Sequence, residues 1–346
     1  MFNEIWSEAS YQLDAVDALI KTGDTVREFV YSTEAEFVAA STGSATINKI
    51  LTTVPNLTDW RVYDHSGAVT RIYSIYGRFV DQLIAAWLAK LPALVERYED
   101  LDEHLRKAYQ FGIGRLLTQL DKRRFRRLSA HDVVRVIHDG LSGAPSYKLI
   151  PEAFLNTEYN YHAKVLSDTF KSVGIDNIIE WLTASRFIKR FITEVRGEAN
   201  TLVSELSSFI DYRNDAAHGY IDNVLGPEAL SELVHFIRML CAALREAVSD
   251  AVLTHLYRRG EVIDCGEITE FFARPQAVVA VLTTGAFSVG DDIMLRGKHY
   301  CRSAQISSIH LESVDHGSIE VTARTEVGLK LGDDMRIGLR IFQQAP

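Results

Sequence analysis

At Gly260 the hydrophobic period of this chain changes, and that change limits what its two parts can become. Before it, apolar residues recur at helical spacing, as in Leu233, Phe236, Ile237, Leu240, Leu244, Val248 and Val252. After it, short runs alternate: Val278-Val279-Ala280-Val281-Leu282, Ile306 to Ile309, Ile319-Glu320-Val321, Val327 to Leu331 and Ile337 to Ile341. Such runs, bounded by Gly and by Asp-Asp pairs, read as antiparallel strands. The expectation is a multi-domain α plus β chain. Residues 1–259 would form an all-α helical bundle, and residues 260–346 a small antiparallel β-barrel.

A chain of 346 residues has room for two such domains. Cys241, Cys265 and Cys301 are far apart, with neither metal-ligand spacing nor an even count, so a reducing compartment is expected. The opening Met1-Phe2-Asn3-Glu4 lacks the basic start and apolar stretch of a secretory signal. No apolar run approaches ~20 residues, so a cytoplasmic protein without a membrane partner is expected. The net charge of −9 argues against indiscriminate coating of nucleic acid, and leaves room for a local basic cleft.

Taken in order, residues 3–41 read as one or two helices, broken near Thr22-Gly23-Asp24. Residues 41–58, with Pro55, read as a connection that includes a short strand or none. Thr70 to Tyr98 is helical, with a kink or a new start at Pro92 and core aromatics at Tyr73, Tyr76, Phe79 and Trp87. A helix over 101–121 leads to the strongest basic cluster, Lys122, Arg123, Arg124, Phe125, Arg126 and Arg127. That cluster reads either as an RNA-backbone contact with one aromatic for stacking, or as a solvated helix end whose cations complement the dipole. Ser129 caps the next helix. His131-Asp132 and His138-Asp139 lack the further ligands of a metal phosphohydrolase. A Pro/Gly loop over 142–159 precedes helices at 159–173, 176–194 and 195–218. Gly226-Pro227 then opens a final helix over 227–259, whose long stripe would pack in the bundle, against a second subunit, or both.

The chemistry concentrates in residues 211–219, Asp211-Tyr212-Arg213-Asn214-Asp215-Ala216-Ala217-His218-Gly219. Leu202, Val203, Leu206, Phe209 and Ile210 form a helical stripe that runs into Arg213. A guanidinium at the centre of a buried stripe is costly unless it meets an anion. Asn214 and His218 are four apart and share a face, and Gly219 is the expected helix stop. Arg97…His104, Arg124…His131 and Arg126…His131 repeat the spacing, but the first is followed by an acidic run, and in the other two Ser129 intervenes.

Arg213-Asn214-Asp215-Ala216-Ala217-His218-Gly219, on the penultimate helix of an all-α region, resembles the active-site motif of the HEPN superfamily. Many members of that superfamily are metal-independent endoribonucleases that dimerise, so that two motifs line one cleft. The resemblance covers residues 1–259. It implies that Arg213 holds the scissile phosphate, His218 transfers a proton as an RNA 2′-hydroxyl attacks, and Asn214 orients one of them. It requires no cofactor and implies RNA, a second copy of the chain and an inhibitor or antitoxin as partners. Stress, toxin or anti-phage defence effectors have such architectures. Because five residues turn ~140° around a helix, one copy holds Arg213 and His218 loosely. In the last third, Gly266-Glu267-Ile268, Thr283-Thr284-Gly285, Val289 to Ile293 and Val327 to Leu331 with Asp333-Asp334 resemble the β-barrel second domain of translational GTPases. Such a domain would contact RNA, dock a partner or brace a dimer. The alternative for the whole chain is a non-catalytic helical scaffold, in which Arg213 makes a buried ion pair and His218 caps a helix.

Overall fold

The computed structural model describes residues 1–42, 44–144, 146–155, 160–197, 199–219, 221, 223–274, 276–312, 314–332 and 334–345. Its first helix, α1 (Asn3–Val30), runs unbroken through Gly23, where an interruption is expected. The reason is Arg27, which is buried and ion-paired to both Asp24 on its own helix and Asp64. Helix α2 (Thr33–Thr42) completes the helical stretch expected over 3–41, whereas α3 (Ala45–Thr53) stands in the expected connection, and Ser44 accepts the Ile47 amide to cap α3.

Helix α4 (Leu57–Leu94) is the long central element, and it starts earlier and ends later than a break at Pro92 would allow. Asn56 caps its start by accepting the Asp59 amide. Pro92 lies in the last turn, so only one backbone bond is forgone before the helix ends. Ile72, Ile75, Tyr76, Phe79, Val80, Leu83, Ile84 and Trp87 are buried along it. The Trp87 indole donates to the Val173 carbonyl at 2.9 Å, satisfying a polar atom that burial would otherwise leave costly.

Around α4 lie α5 (Glu103–Leu117), capped by Asp102, and α6 (Ala130–Leu141), capped by Ser129. Next come α7 (Ala163–Ser172), α8 (Ile178–Ala184) and α9 (Arg186–Phe191), which passes into a π turn at Ile192–Arg196. The expected helix starts at residue 159 and the loop positions Pro145 and 156–159 lie outside the described residues. Helix α10 (Leu202–His218) opens with a capping box between Thr201 and Ser204, and Gly219, at φ 76°, closes it as expected.

The last helix, α11 (Pro227–Arg258), starts at Pro227 behind Gly226. Along its stripe, Leu233, Phe236, Ile237, Leu240, Leu244, Val248 and Val252 are all buried within one copy, against α1, α4, α8 and α9. Of the packings open to that stripe, the structure shows the one within the bundle.

From Val262 the chain is β-structured. The strands are β1 (Val262–Phe272), β2 (Ala277–Leu282), β3 (Gly285–Ser288), β4 (Asp292–Gly297), β5 (Tyr300–Gln305), β6 (Ser308–Leu311), β7 (Val314–His316), β8 (Ser318–Val321), β9 (Thr325–Lys330) and β10 (Arg340–Gln344). All pair antiparallel. One sheet runs β5-β4-β10-β1-β2-β9-β6-β7, and β3 pairs with β8 as a separate ribbon. Among the described residues β5 and β7 are edges, so the sheet is open where a closed barrel is expected. Sheet and ribbon nevertheless share one core, with Phe287 and Val321 of the ribbon beside Ile268, Val278, Ile293, Leu329 and Ile341. Gly266 marks a bulge in β1, where a Cβ would lie 2.1 Å from the Val281 carbonyl oxygen. Ile337 is exposed in the turn before β10 rather than in a strand. Asp333 lies outside the described residues.

The two parts are joined by more than the chain at residues 259–261. Leu253 of α11 is buried with Val262, Cys301 and Phe342. Arg296 of β4 pairs with Asp250 of α11 at 2.7 Å, and Arg186 of α9 pairs with Asp334 of the β part at 2.6 Å.

Candidate active site

Helix α10 turns one face to α4 through Leu206, Phe209 and Ile210, while Val203, expected in the stripe, is exposed. One turn beyond Phe209, Arg213 falls on nearly the same face. It arrives where α4 presents Tyr73, whose ring lies 6.0 Å from that of Phe209. The Arg213 guanidinium sits over the Tyr73 ring at 4.8 Å from its centre. Its Nη1 donates to Asn214 Oδ1 at 3.2 Å, and Asn160 Nδ2 donates to the same oxygen at 2.8 Å.

Arg213 is half-buried, and among the described residues no carboxylate lies within ion-pair distance of it. Arg245, half-buried over the Trp6 ring at 5.1 Å, shares this lack among the described residues, whereas several other arginines of the bundle are neutralised. Arg27, Arg186 and Arg196 each hold two carboxylates. Arg97, which shares the Arg…His spacing, holds Glu99 and Asp100. A ring face attracts a cation without neutralising it. Arg213 is thus fixed in place with its charge uncompensated.

Beneath it runs a polar network that connects α4 to the segment before α7. The Tyr161 amide donates to the Tyr73 hydroxyl at 3.4 Å, and the Tyr161 hydroxyl donates to Asp81 at 2.5 Å. Tyr76 donates to the Tyr161 carbonyl at 3.1 Å. Burial raises the Asp81 carboxyl above its ordinary range, with the Tyr161 hydrogen bond opposing. Burial likewise raises the Tyr73 phenol, opposed by the Tyr161 amide and the Arg213 charge.

His218 is exposed at the last helical position, just before the Gly219 stop. Asn214, four residues earlier, shares its face. A second imidazole lies behind the helix. His65 of α4 is fully buried, accepts the Leu225 amide at Nδ1 (3.1 Å) and meets Tyr212 edge to face. Burial lowers its pKa, with Asp215 opposing, so it is a neutral spacer between α10 and the approach to α11.

The basic cluster is a different place. Lys122, Arg123, Arg124, Arg126 and Arg127 are exposed on the turn between α5 and α6, which includes a 3-10 turn at Arg123–Phe125. Phe125 is buried in the helical core, with Arg124 over its ring at 4.6 Å. The expectation that Phe125 stacks on a base is corrected, because its faces are already covered. The hydrogen bonds that Arg213 and Asn214 make run to each other and to Asn160.

The spacing argument found Arg213, Asn214 and His218 but missed Tyr73 and Asn160, the two side chains that orient them. Tyr73 reads as one more core aromatic of α4, and Asn160 stands in a loop without a pattern. Only the fold brings them to α10. Tyr73→Leu should therefore reduce any Arg213-dependent activity by about 2- to 30-fold, the worth of a cation–π contact of about 0.5–2 kcal/mol, while Tyr73→Phe keeps most of it. Steady-state rates of both variants check this.

Among the described residues no group of three or more His, Cys, Asp or Glu side chains is placed to hold a metal ion. No described helix is long and apolar enough to cross a membrane.

The sequence profile described as RiboL-PSP-HEPN matches residues 44–250, from the cap of α3 through most of α11. No curated protein matches the chain. Among solved structures, the C-terminal domain of a Geobacillus thermoleovorans protein described as a U32 peptidase is similar at 12% identity and a TM-score of 0.21, over 24% of this chain and 92% of that one. At that score the likeness carries no structural argument.

Proposed function

The chain belongs to the RiboL-PSP-HEPN family, and from that premise we propose that it is a metal-independent endoribonuclease working at a site shared by two copies. HEPN domains are generally ribonucleases, so membership supports a nuclease-type role. The finer reading rests on one observation: Arg213 is a fixed, half-buried cation without a carboxylate partner among the described residues.

In this reading the anion that completes Arg213 is the scissile phosphate. The guanidinium binds its non-bridging oxygens and stabilises the charge that grows on them as a fifth oxygen bonds to phosphorus. Asn214, held by Asn160, keeps the guanidinium at the correct angle. His218 exchanges a proton with the substrate. The RNA 2′-hydroxyl loses its proton and attacks the adjacent phosphorus, and the bond to the 5′-oxygen breaks. That oxygen leaves as a 5′-hydroxyl, and the phosphate remains as a 2′,3′-cyclic diester. A second copy across a twofold axis would bring its His218 toward Arg213, a geometry that one helix holds only loosely. Lys122, Arg123, Arg124, Arg126 and Arg127 would guide the strand. A nuclease of this kind suits a stress, toxin or anti-phage defence effector that an inhibitor or antitoxin holds silent.

The reaction requires the 2′-hydroxyl. RNA should be cut, and the same sequence fully 2′-O-methylated should remain intact. Equal cutting of both, measured on labelled oligonucleotides, would contradict the reading.

A further inference from the structure

Where the helical part meets the sheet, a cavity of about 510 Å³ opens between α9, the β4–β5 turn and the turn before β10. Its lining includes Lys189, Lys298, His299 and Arg336, and no carboxylate. In a chain of net charge −9 this is a concentrated positive site. Nearby cations are neutralised: Arg190 pairs with Glu194, Arg186 with Glu246 and Arg302 with Asp334. Lys189, Lys298 and Arg336 make no ion pair among the described residues.

Lys189, Lys298 and Arg336 are exposed, and of the three Arg336 is held in place. Arg336 Nη2 donates to the Lys298 carbonyl at 2.8 Å, and the guanidinium lies over the Tyr300 ring at 5.0 Å. Gly297 permits this approach, since a Cβ there would come within 3.0 Å of Arg336 Nη2. His299 occupies a left-handed position (φ 57°) in the tight turn between Gly297 and Tyr300. The Trp181 indole meets its ring edge to face at 6.0 Å. Burial, then the Lys298 charge, lowers the His299 pKa, while Glu180 opposes and Lys189 and Arg336 add to the lowering.

We propose that this junction cavity binds nucleotide phosphate, carried either by an RNA strand or by a free nucleotide. Its volume lies within the ~300–1,000 Å³ range of small-molecule sites. An arginine fork and two lysine ammoniums supply charge-assisted donors, and the neighbouring aromatic pair offers a surface for a base. The site is independent of Arg213, because its cations come from α9 and the β part.

The test is titration calorimetry of the full chain with three probes: a short 2′-O-methylated RNA, adenosine monophosphate and inorganic phosphate. Wild type, Arg213→Ala, Lys298→Ala/Arg336→Ala and Lys298→Arg/Arg336→Lys are compared. The double alanine variant should weaken binding at least about 10-fold and flatten the salt dependence by about one to two ion equivalents. The charge-keeping pair and Arg213→Ala should each retain the junction component. RNA bound far more tightly than the monophosphate identifies a strand site; equal affinity identifies a nucleotide site. Binding that none of the probes shows, or that ignores Lys298 and Arg336, overturns the proposal. Failure of the nuclease reading would appear instead as cleavage indifferent to Arg213.

Discussion

Arg213→Ala is expected to slow RNA cleavage by about 100- to 1,000-fold, the usual effect of removing one group that stabilises transition-state charge. His218→Ala should cost about 100- to 10,000-fold, as the loss of a general acid or base does. Both variants should stay folded. Arg213 has no carboxylate partner among the described residues, so its removal leaves no buried charge alone and forfeits about 1 kcal/mol of contact with Tyr73. The scaffold alternative predicts otherwise. There, removal of one member of a buried ion pair would destabilise the chain by about 3–5 kcal/mol. Denaturant unfolding measured beside cleavage rates separates the two.

Glu246→Ala is expected to destabilise the chain by about 3–5 kcal/mol. Glu246 is 1% exposed on α11. Both its oxygens accept from Arg186 at 2.6 Å, and Oε2 also accepts the Cys301 amide of β5 at 3.3 Å. Arg186 itself lies against the rings of Phe187 and Tyr300, each at 4.2 Å, and reaches Asp334 of the β part. Burial alone would lower the Arg186 pKa, but the hydrogen bonds and charges of Glu246 and Asp334 outweigh it and raise it. Without Glu246 a largely desolvated guanidinium loses the two-pronged partner that Asp334, bonded at Nε alone, does not replace, and the Cys301 amide loses its acceptor. A loss under about 1 kcal/mol in chemical denaturation would contradict this account of the junction.

The helical region and the antiparallel strands after it were legible because period carries over directly into buried faces. Gly219 and Ser129 were legible because capping is local. Failures came where a distant residue decided the outcome. Gly23 reads as a break until Asp64, on another helix, reaches Arg27. Pro92 reads as a kink, but a proline in a final turn costs little. Phe125 reads as an exposed aromatic within a basic run, yet it points into the core. The stripe of α11 could not say which neighbour covers it. Arg213, Asn214 and His218 could be found in sequence because they sit within one and a half turns of each other. Tyr73 and Asn160 could not, since they lie more than fifty residues upstream.

The most direct measurement is the end-group chemistry of RNA incubated with purified protein in excess EDTA, beside Arg213→Ala and His218→Ala. The account predicts fragments ending in 2′,3′-cyclic phosphate and beginning with 5′-hydroxyl, absent with both folded variants. Fragments with 5′-phosphate ends, or cleavage that both variants retain, would contradict it.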